Sequence, residues 1–311
     1  MVSMNSYFLS QLTNLNKESE KLSYQSASGE KLRYGSDDSV SFAKILNAKQ
    51  NITTYENLQS NLTNTEIFNT ASDSSVAEIK TAAESVKSEV LKALSATMSS
   101  SDYPSMATNL EGIKDTLLML GNEKVNGQYL FAGSDTTVQP FVKDDVTGVV
   151  TYAGNTESKM IAIEKNTYTE QGVNGFDIFY YDSDGDGTKD RSYFDDLDEV
   201  INALKGYDSG GNEISGTEIT DILRTKLDDM TKGYDSMNIS HSILGSRNLI
   251  VENAQEHIST KLLNYKTMES TYADADLTEV AMNMKSLELI YTSLYSTITK
   301  LNDLSLVNFI K

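Results

Sequence analysis

The stretch Leu223–Tyr265, LRTKLDDMTKGYDSMNISHSILGSRNLIVENAQEHISTKLLNY, decides the fold class. Its positions Leu223, Leu227, Met230, Tyr234, Met237, His241 and Leu244 step by 4, 3, 4, 3, 4 and 3. The same register continues through Asn248, Val251, Gln255, Ile258, Leu262 and Tyr265, with polar residues at some seam positions. About six heptads of this kind predict one long helix with a narrow, coiled-coil-like seam, because alternating steps of three and four keep side chains on a single stripe. No obligatory breaker interrupts it: the only prolines in 311 residues are Pro104 and Pro140.

Similar stripes flank this one. Toward the end of the chain Leu287, Ile290, Leu294, Ile298, Leu301 and Leu304 predict a last helix, and near the start Phe8, Leu12, Leu15 and Leu22 predict a first. Between them lie Ile45, Ala48, Ile52, Tyr55 and Leu62, then Ile79, Ala83, Val86, Val90 and Ala93, then Met106, Leu110, Ile113, Leu117 and Leu120. From about Gly127 to Gly216 the composition changes to Gly, Asp, Thr, Tyr and Val. There the short runs Gln128–Ala132, Val149–Ala153, Met160–Ile163 and Phe176–Tyr181 read as strands between turns.

The expected fold is therefore mainly α with a β-rich insertion: an elongated rod in which both chain ends form a long antiparallel helical bundle. Three domains are expected: a terminal helical one (1–40 with 276–311), a helical shaft (41–126 with 217–275) and a β-rich outer domain (127–216). The end helices, Ser3–Leu22 and Leu287–Phe309, carry narrow stripes that a helix pair alone covers poorly, so neighbouring subunits are expected to cover them. The candidate assembly residues are Phe8, Leu12, Leu15, Leu294, Ile298, Leu301 and Leu304.

Composition narrows the function. Twenty-six Lys and Arg against 45 Asp and Glu leave a net charge of −19, which argues against a nucleic-acid binder or docking on an anionic membrane. The absence of cysteine excludes disulfides, thiol nucleophiles and Cys-ligated metal sites. No run approaches a transmembrane helix, and the opening MVSMNSYFLSQLTNLNKESEKL lacks the basic and apolar regions of a signal peptide, so the default expectation is cytoplasmic. No nucleotide-binding glycine motif or nucleophile elbow occurs, so an enzyme is not expected.

One motif carries metal chemistry. In Asp182-Ser183-Asp184-Gly185-Asp186-Gly187-Thr188-Lys189-Asp190 the aspartates occupy positions 1, 3, 5 and 9 of an EF-hand-type loop, with Gly at 6. Position 12 is Tyr193 instead of the bidentate Glu; Asp195 or Asp196 is the conceivable substitute. Calcium on Asp182, Asp184, Asp186 and Asp190 is one reading; a solvated acidic hairpin turn is the preferred one. The acidic run Asp182–Glu199 as a whole is expected at an outer, solvated surface. Asp37 and Asp38 suggest helix capping, by Ser36 or Asp37, before acid–base work. His241 falls on the seam and His257 off it, both as packing or surface residues.

Four blocks of sequence then resemble a known family. Ser26-Ala27-Ser28-Gly29-Glu30-Lys31-Leu32 with Gly35-Ser36-Asp37-Asp38 is similar to a stretch of the flagellin superfamily. Asn126-Gly127-Gln128-Tyr129-Leu130-Phe131-Ala132-Gly133, Asp274-Ala275-Asp276-Leu277-Thr278-Glu279-Val280 and the closing Leu301-Asn302-Asp303-Leu304-Ser305-Leu306 resemble its hook-associated protein 3 branch. Ser39 stands where that family usually has proline, and Tyr34 where a small or polar residue is common. The resemblance implies a structural adaptor at the bacterial hook–filament junction, between hook-associated protein 1 and flagellin, self-associated in a ring. It implies delivery by the flagellar type III route, with an export chaperone, to an extracellular site, without cofactor or membrane insertion. A flagellin filament subunit, or a calcium-dependent adhesion module on a helical stalk, is the alternative.

Overall fold

The computed structural model describes the backbone of residues 2–95 and 99–309 and the side chains of residues 6–95 and 99–300. The helices are α1 (Val2–Ser28), α2 (Ser39–Ala93), α3 (Tyr103–Gly121), α4 (Gly175–Phe179), α5 (Tyr193–Leu204), α6 (Gly216–Ala273) and α7 (Leu277–Phe309). The strands are β1 (Lys124–Val125), β2 (Gln128–Tyr129), β3 (Phe141–Lys143), β4 (Val150–Tyr152), β5 (Lys159–Glu164), β6 (Thr167–Gln171), β7 (Tyr180–Tyr181) and β8 (Arg191–Ser192). They pair only in sequence-adjacent antiparallel couples, β1–β2, β3–β4, β5–β6 and β7–β8. The fold is mainly helical, with long helices at both ends and a small strand-containing insertion.

The seam of α6 forms as its spacing predicts. Leu223, Met230, Met237, Leu244, Val251 and Ile258 are buried, seven residues apart. The alternate positions Leu227, Tyr234, His241, Asn248, Gln255 and Leu262 are half-buried. One heptad position thus points into the core while the other lies at its margin, which is why polar residues are tolerated only in the second set.

The chain divides into two compact units. The first comprises Met1–Asn57 and Ser259–Lys311, the second Leu58–Ile258. In the first, α1 packs on α7, and the start of α2 runs antiparallel to the end of α6: Lys44 bonds Tyr272, Glu56 pairs with Lys266 at 2.9 Å, and Tyr55 stacks on Tyr265. In the second unit Glu66 meets Gln255, Asp73 meets His241, and Glu84 meets Tyr234, again antiparallel.

The core of the second unit is aromatic. Phe141 packs edge-on against Phe179 with ring centres 4.9 Å apart, and Phe179 stacks on Phe194 at 4.8 Å. α5 supplies much of the rest through Leu197, Val200, Ile201 and Leu204. This helix is absent from the strand-only reading of the insertion, although Ser192 caps it through Phe194 N–H and its apolar residues recur at helical spacing. Phe176–Tyr181 also departs from the strand expectation: Gly175–Phe179 is a helical turn, because the Asn174 side chain accepts from Asp177 N–H and caps it. Only Tyr180–Tyr181 is strand. The stripes Ile45–Leu62 and Ile79–Ala93 share α2, and Met106–Leu120 forms α3, where Pro104 sits in the first turn and its missing N–H costs nothing.

The block Asn126–Gly133 is a hinge of fixed geometry. Asn126 (φ 50°) and Gly127 (φ 79°) make the two-residue turn between β1 and β2. Leu130, Phe131 and Ala132 then enter the core, and Gly133 (φ 78°) passes so close to Asn155 that a Cβ would lie 1.9 Å from its carbonyl oxygen. Gly133→Ala is expected to destabilise the second unit by more than the roughly 1–3 kcal/mol of left-handed strain alone, read as a lowered unfolding midpoint in denaturant.

Candidate assembly interface

The α1–α7 pair is held at its closed end by a short backbone joint. Lys31 N–H donates to Ala273 C=O at 2.6 Å, Ala275 N–H donates to Gly29 C=O at 2.8 Å, and Glu30 and Asp274 form a bridge. Gly29 (φ 73°) ends α1 in the left-handed region, and the Gln25 amide donates to Lys31 C=O at 2.8 Å. Two of the blocks noted above, Ser26–Leu32 and Asp274–Val280, therefore touch each other across more than two hundred residues of chain. Each is followed by a capped helix. Asp38 accepts from Val40 and Ser41 N–H at the start of α2, and Asp276 accepts from Thr278 and Glu279 N–H at the start of α7. The cap of α2 is thus Asp38, not the expected Ser36 or Asp37. Asp37 instead accepts from Arg33 and Tyr34 N–H and closes the preceding loop. These hydrogen bonds stabilise the Asp38 and Asp276 carboxylates and lower their pKa values, the Ser41 hydroxyl contributing most at Asp38 and Glu279 N–H at Asp276.

From this joint the seam runs along both helices. Leu22, Val280 and Leu287 are buried together, with Leu15 and Tyr291 packed against them. Phe8, Leu12, Leu15, Leu294 and Ile298 lie on the facing stripes and stay half-buried, since two helices cover only one flank of a seam. Tyr291 O–H donates to Asn16 Oδ1 at 2.6 Å and fixes the register. The side chains of Leu301 and Leu304 lie outside the described residues. Ile290 does not belong to the seam; its place is taken by Tyr291, and Ile290 is exposed. Beside it α7 presents a second apolar set that the stripe analysis missed: Met282, Leu289 and Tyr295, each more than 60% exposed. The seven-residue spacing of Met282 and Leu289 was the available signal.

The acidic loop behaves differently from its sequence motif. Asp182, Asp184 and Asp186 can bring one carboxylate oxygen each within 4.8 Å of one another. Asp190 is engaged by the N–H and hydroxyl of Ser183, and Asp182 accepts from Gly185 and Gly187 N–H, which lowers the pKa of both carboxyls. Tyr193 is buried in the core, Asp196 is committed to Arg191 and Lys226, and the exposed Asp195 is not among the carboxylates that gather with Asp182, Asp184 and Asp186. Three carboxylates without the bidentate partner match a hydrogen-bonded turn better than a strong calcium site. In calorimetry at millimolar calcium the expected result is no saturable heat and no rise in melting temperature; a saturable signal lost in Asp184→Asn would reverse this reading.

The outer end of the same acidic run is not solvated. Asp196, 0% exposed, accepts from Arg191 Nε at 2.7 Å, Lys226 Nζ at 3.2 Å and the Tyr181 hydroxyl. Lys226 also reaches Glu199 at 3.0 Å and Asp229 at 3.1 Å. Burial pulls the Lys226 pKa down, but Glu199, Asp196 and Asp229 outweigh it and the net shift is upward. Asp198, whose pKa is raised by burial against the pull of Lys114, sits 2.5 Å from that lysine. Removing the central carboxylate leaves Arg191 and Lys226 to share Glu199 and Asp229 and the Tyr181 hydroxyl without its acceptor, and Asp196→Ala is expected to cost about 1–3 kcal/mol in denaturant unfolding. The double change Asp196→Leu with Lys226→Met is expected to recover part of that loss.

His241 is half-buried, with Nε2 3.1 Å from Asp73 and Nδ1 3.3 Å from Lys80 Nζ. Because Lys80 can only donate, Nδ1 accepts and the ring proton faces Asp73, a structural tether between α2 and α6. His257 is exposed, 3.9 Å from Glu164.

Residues 2–136 match the bacterial flagellin N-terminal helical region. The chain is 27% identical over 310 residues to flagellar hook-associated protein 3 of Salmonella typhimurium strain LT2, an alignment that covers 96% of this chain and 95% of the relative. It is 29% identical over 206 residues to flagellar hook-associated protein 3 of Escherichia coli K12, covering 62% of each. In fold it is similar to the flagellar junction protein FlgL from Legionella pneumophila, with a TM-score of 0.59, 14% identity, and 74% of this chain and 100% of that chain covered. Among the described residues no helix is long and apolar enough to cross a membrane. The matching N-terminal region, the near full-length relative and the shared fold agree with the four sequence blocks: the chain is similar to flagellar hook-associated protein 3, and its first 136 residues to the flagellin N-terminal helical region.

Proposed function

We propose that this chain is a structural adaptor joining the flagellar hook to the filament. The observation that carries this reading is the α1–α7 pair. It is locked at one end by the Gly29–Lys31 and Ala273–Ala275 joint, is only half-covered along its seam, and bears a separate exposed apolar set on α7. A helix pair of this kind stabilises itself too little to leave so much apolar surface in water, and neighbouring subunits in a ring would bury it. The partners in this reading are hook-associated protein 1 on the hook side and flagellin on the filament side. Delivery is by the flagellar type III route, assisted by an export chaperone, to an extracellular position. The division into a terminal assembly domain, a shaft and an outer domain belongs to the same reading, with the terminal helices innermost.

Deletion of the gene in the source bacterium is expected to give hooks without filaments, with flagellin shed into the medium; normal filaments would refute the junction role. Within the chain, Leu294→Asp on the seam and Leu289→Asp on the exposed set are both expected to abolish incorporation into flagella. Only Leu294→Asp should also lower the thermal stability of the isolated first-unit helices, because Leu289 is already in water. A Leu289→Asp protein that incorporates normally would remove that face from the interface.

A further inference from the structure

A groove in the second unit is built differently from the assembly surfaces. Its volume is about 460 Å³, and it lies between α2, the β1–β2 turn and the β5–β6 hairpin. Four consecutive residues of β5, Lys159 to Ala162, line it. Side chains of one strand face alternate, so an unbroken run along a wall means that the strand presents its edge. β5 pairs with β6 alone, and β6 is held from behind by Arg247, which donates to Gly172 C=O and pairs with Glu170. In an antiparallel pair every second residue turns its N–H and C=O away from the partner strand. Among the described residues no other backbone or side chain bonds those outward groups of Lys159–Ala162.

The opposite wall carries three exposed amides beside Thr65, Phe68 and Val125. Asn61, Asn64 and Gln128 line it, and none of their side chains has a hydrogen-bond partner among the described residues. Each amide offers a donor and an acceptor in the spacing of a peptide group. In the same lining Gln171 Oε1 is a buried polar atom without a partner among the described residues. Orphaned buried polar atoms of this kind are costly, and few occur in native proteins. Lys159 is the one charged residue in the lining, and it makes no ion pair.

We propose that this groove takes an extended peptide as a third strand on the open edge of β5, with an acidic residue of the peptide against Lys159. Backbone groups on one side of the peptide would complete the outward ladder positions of β5, and those on the other would meet the Asn61, Asn64 and Gln128 amides. Four β5 residues give a contact of about four peptide residues, at ~3.3 Å each. A strand edge left open in this way is otherwise a liability, and a bound strand removes it.

The test uses the full chain and a mixture of N-acetylated, C-amidated pentapeptides randomised except for a central Asp, at millimolar total concentration. Hydrogen exchange resolved by residue is expected to slow at least tenfold at outward-facing amides within 159–162. The same mixture with central Lys should have no effect on the wild type, and Lys159→Glu should exchange these preferences without a change in melting temperature. If Lys159→Glu proves unstable, the wild-type comparison of the two mixtures decides alone. Unchanged exchange at 159–162 with the Asp mixture would overturn the proposal. So would saturable binding of maltotriose that protects no β5 amide, which would make the groove a carbohydrate site.

Discussion

The antiparallel closure of the two chain ends is the constraint on which the first unit depends. α1 and α7 each carry a single apolar stripe, and neither can bury it alone. Their register is set by a few backbone hydrogen bonds between the Gly29–Lys31 loop and the Ala273–Ala275 loop, reinforced by Tyr291 on Asn16. Because the joint is made of main-chain groups, it specifies alignment with little dependence on side-chain identity. The Asp38 and Asp276 caps then start the next helices within a residue or two of it. Packing along the pair weakens away from the joint, from buried Leu22, Val280 and Leu287 to half-covered Phe8 and Ile298. The pair is thus tight at one end and open along its length, with its register fixed by contacts within the chain.

The second unit follows a different logic. Its two-stranded hairpins are too small to stand alone, and an aromatic cluster with α5 holds them against the long helices. The charged residues there are structural. Asp196 joins Arg191, Lys226 and Tyr181 at a site closed to water, and Lys114 ties Asp198 to the Gly148 loop at 2.8 Å. Such pairs contribute specificity of arrangement more than net stability, because desolvation offsets most of the Coulombic gain. Some of the chain's carboxylates are therefore internal and paired, while others are exposed on helices and on loops such as Asp182–Asp190.

The helical stripes and the caps were legible because they rest on local chemistry. A heptad step keeps its meaning wherever the helix goes, so Leu223 through Ile258 appear buried at every second seam position. The capping of α2 was legible to within two residues, since Ser36 or Asp37 was expected and Asp38 caps it. Phe176–Tyr181 was misread since six mostly apolar residues fit either period, and Asn174 alone tips Gly175–Phe179 into a helical turn. α5 was hidden by its acidic residues, which mask a helical apolar face as a solvated run. The exposed set on α7 escaped because apolar residues seven apart beside a stronger stripe look like part of it.

Sequence by itself determined the long helices α1, α2, α3, α6 and α7 and the family resemblance, because each of these is written in neighbouring residues. Tertiary structure alone decided which carboxylates are spent inside, which face of α7 is left bare, and that Asp196 is held in the core away from the EF-hand-like loop. Those outcomes depend on residues far apart in the chain, such as Asp196 with Lys226 and Tyr193 against the core, and burial is a property of the folded whole.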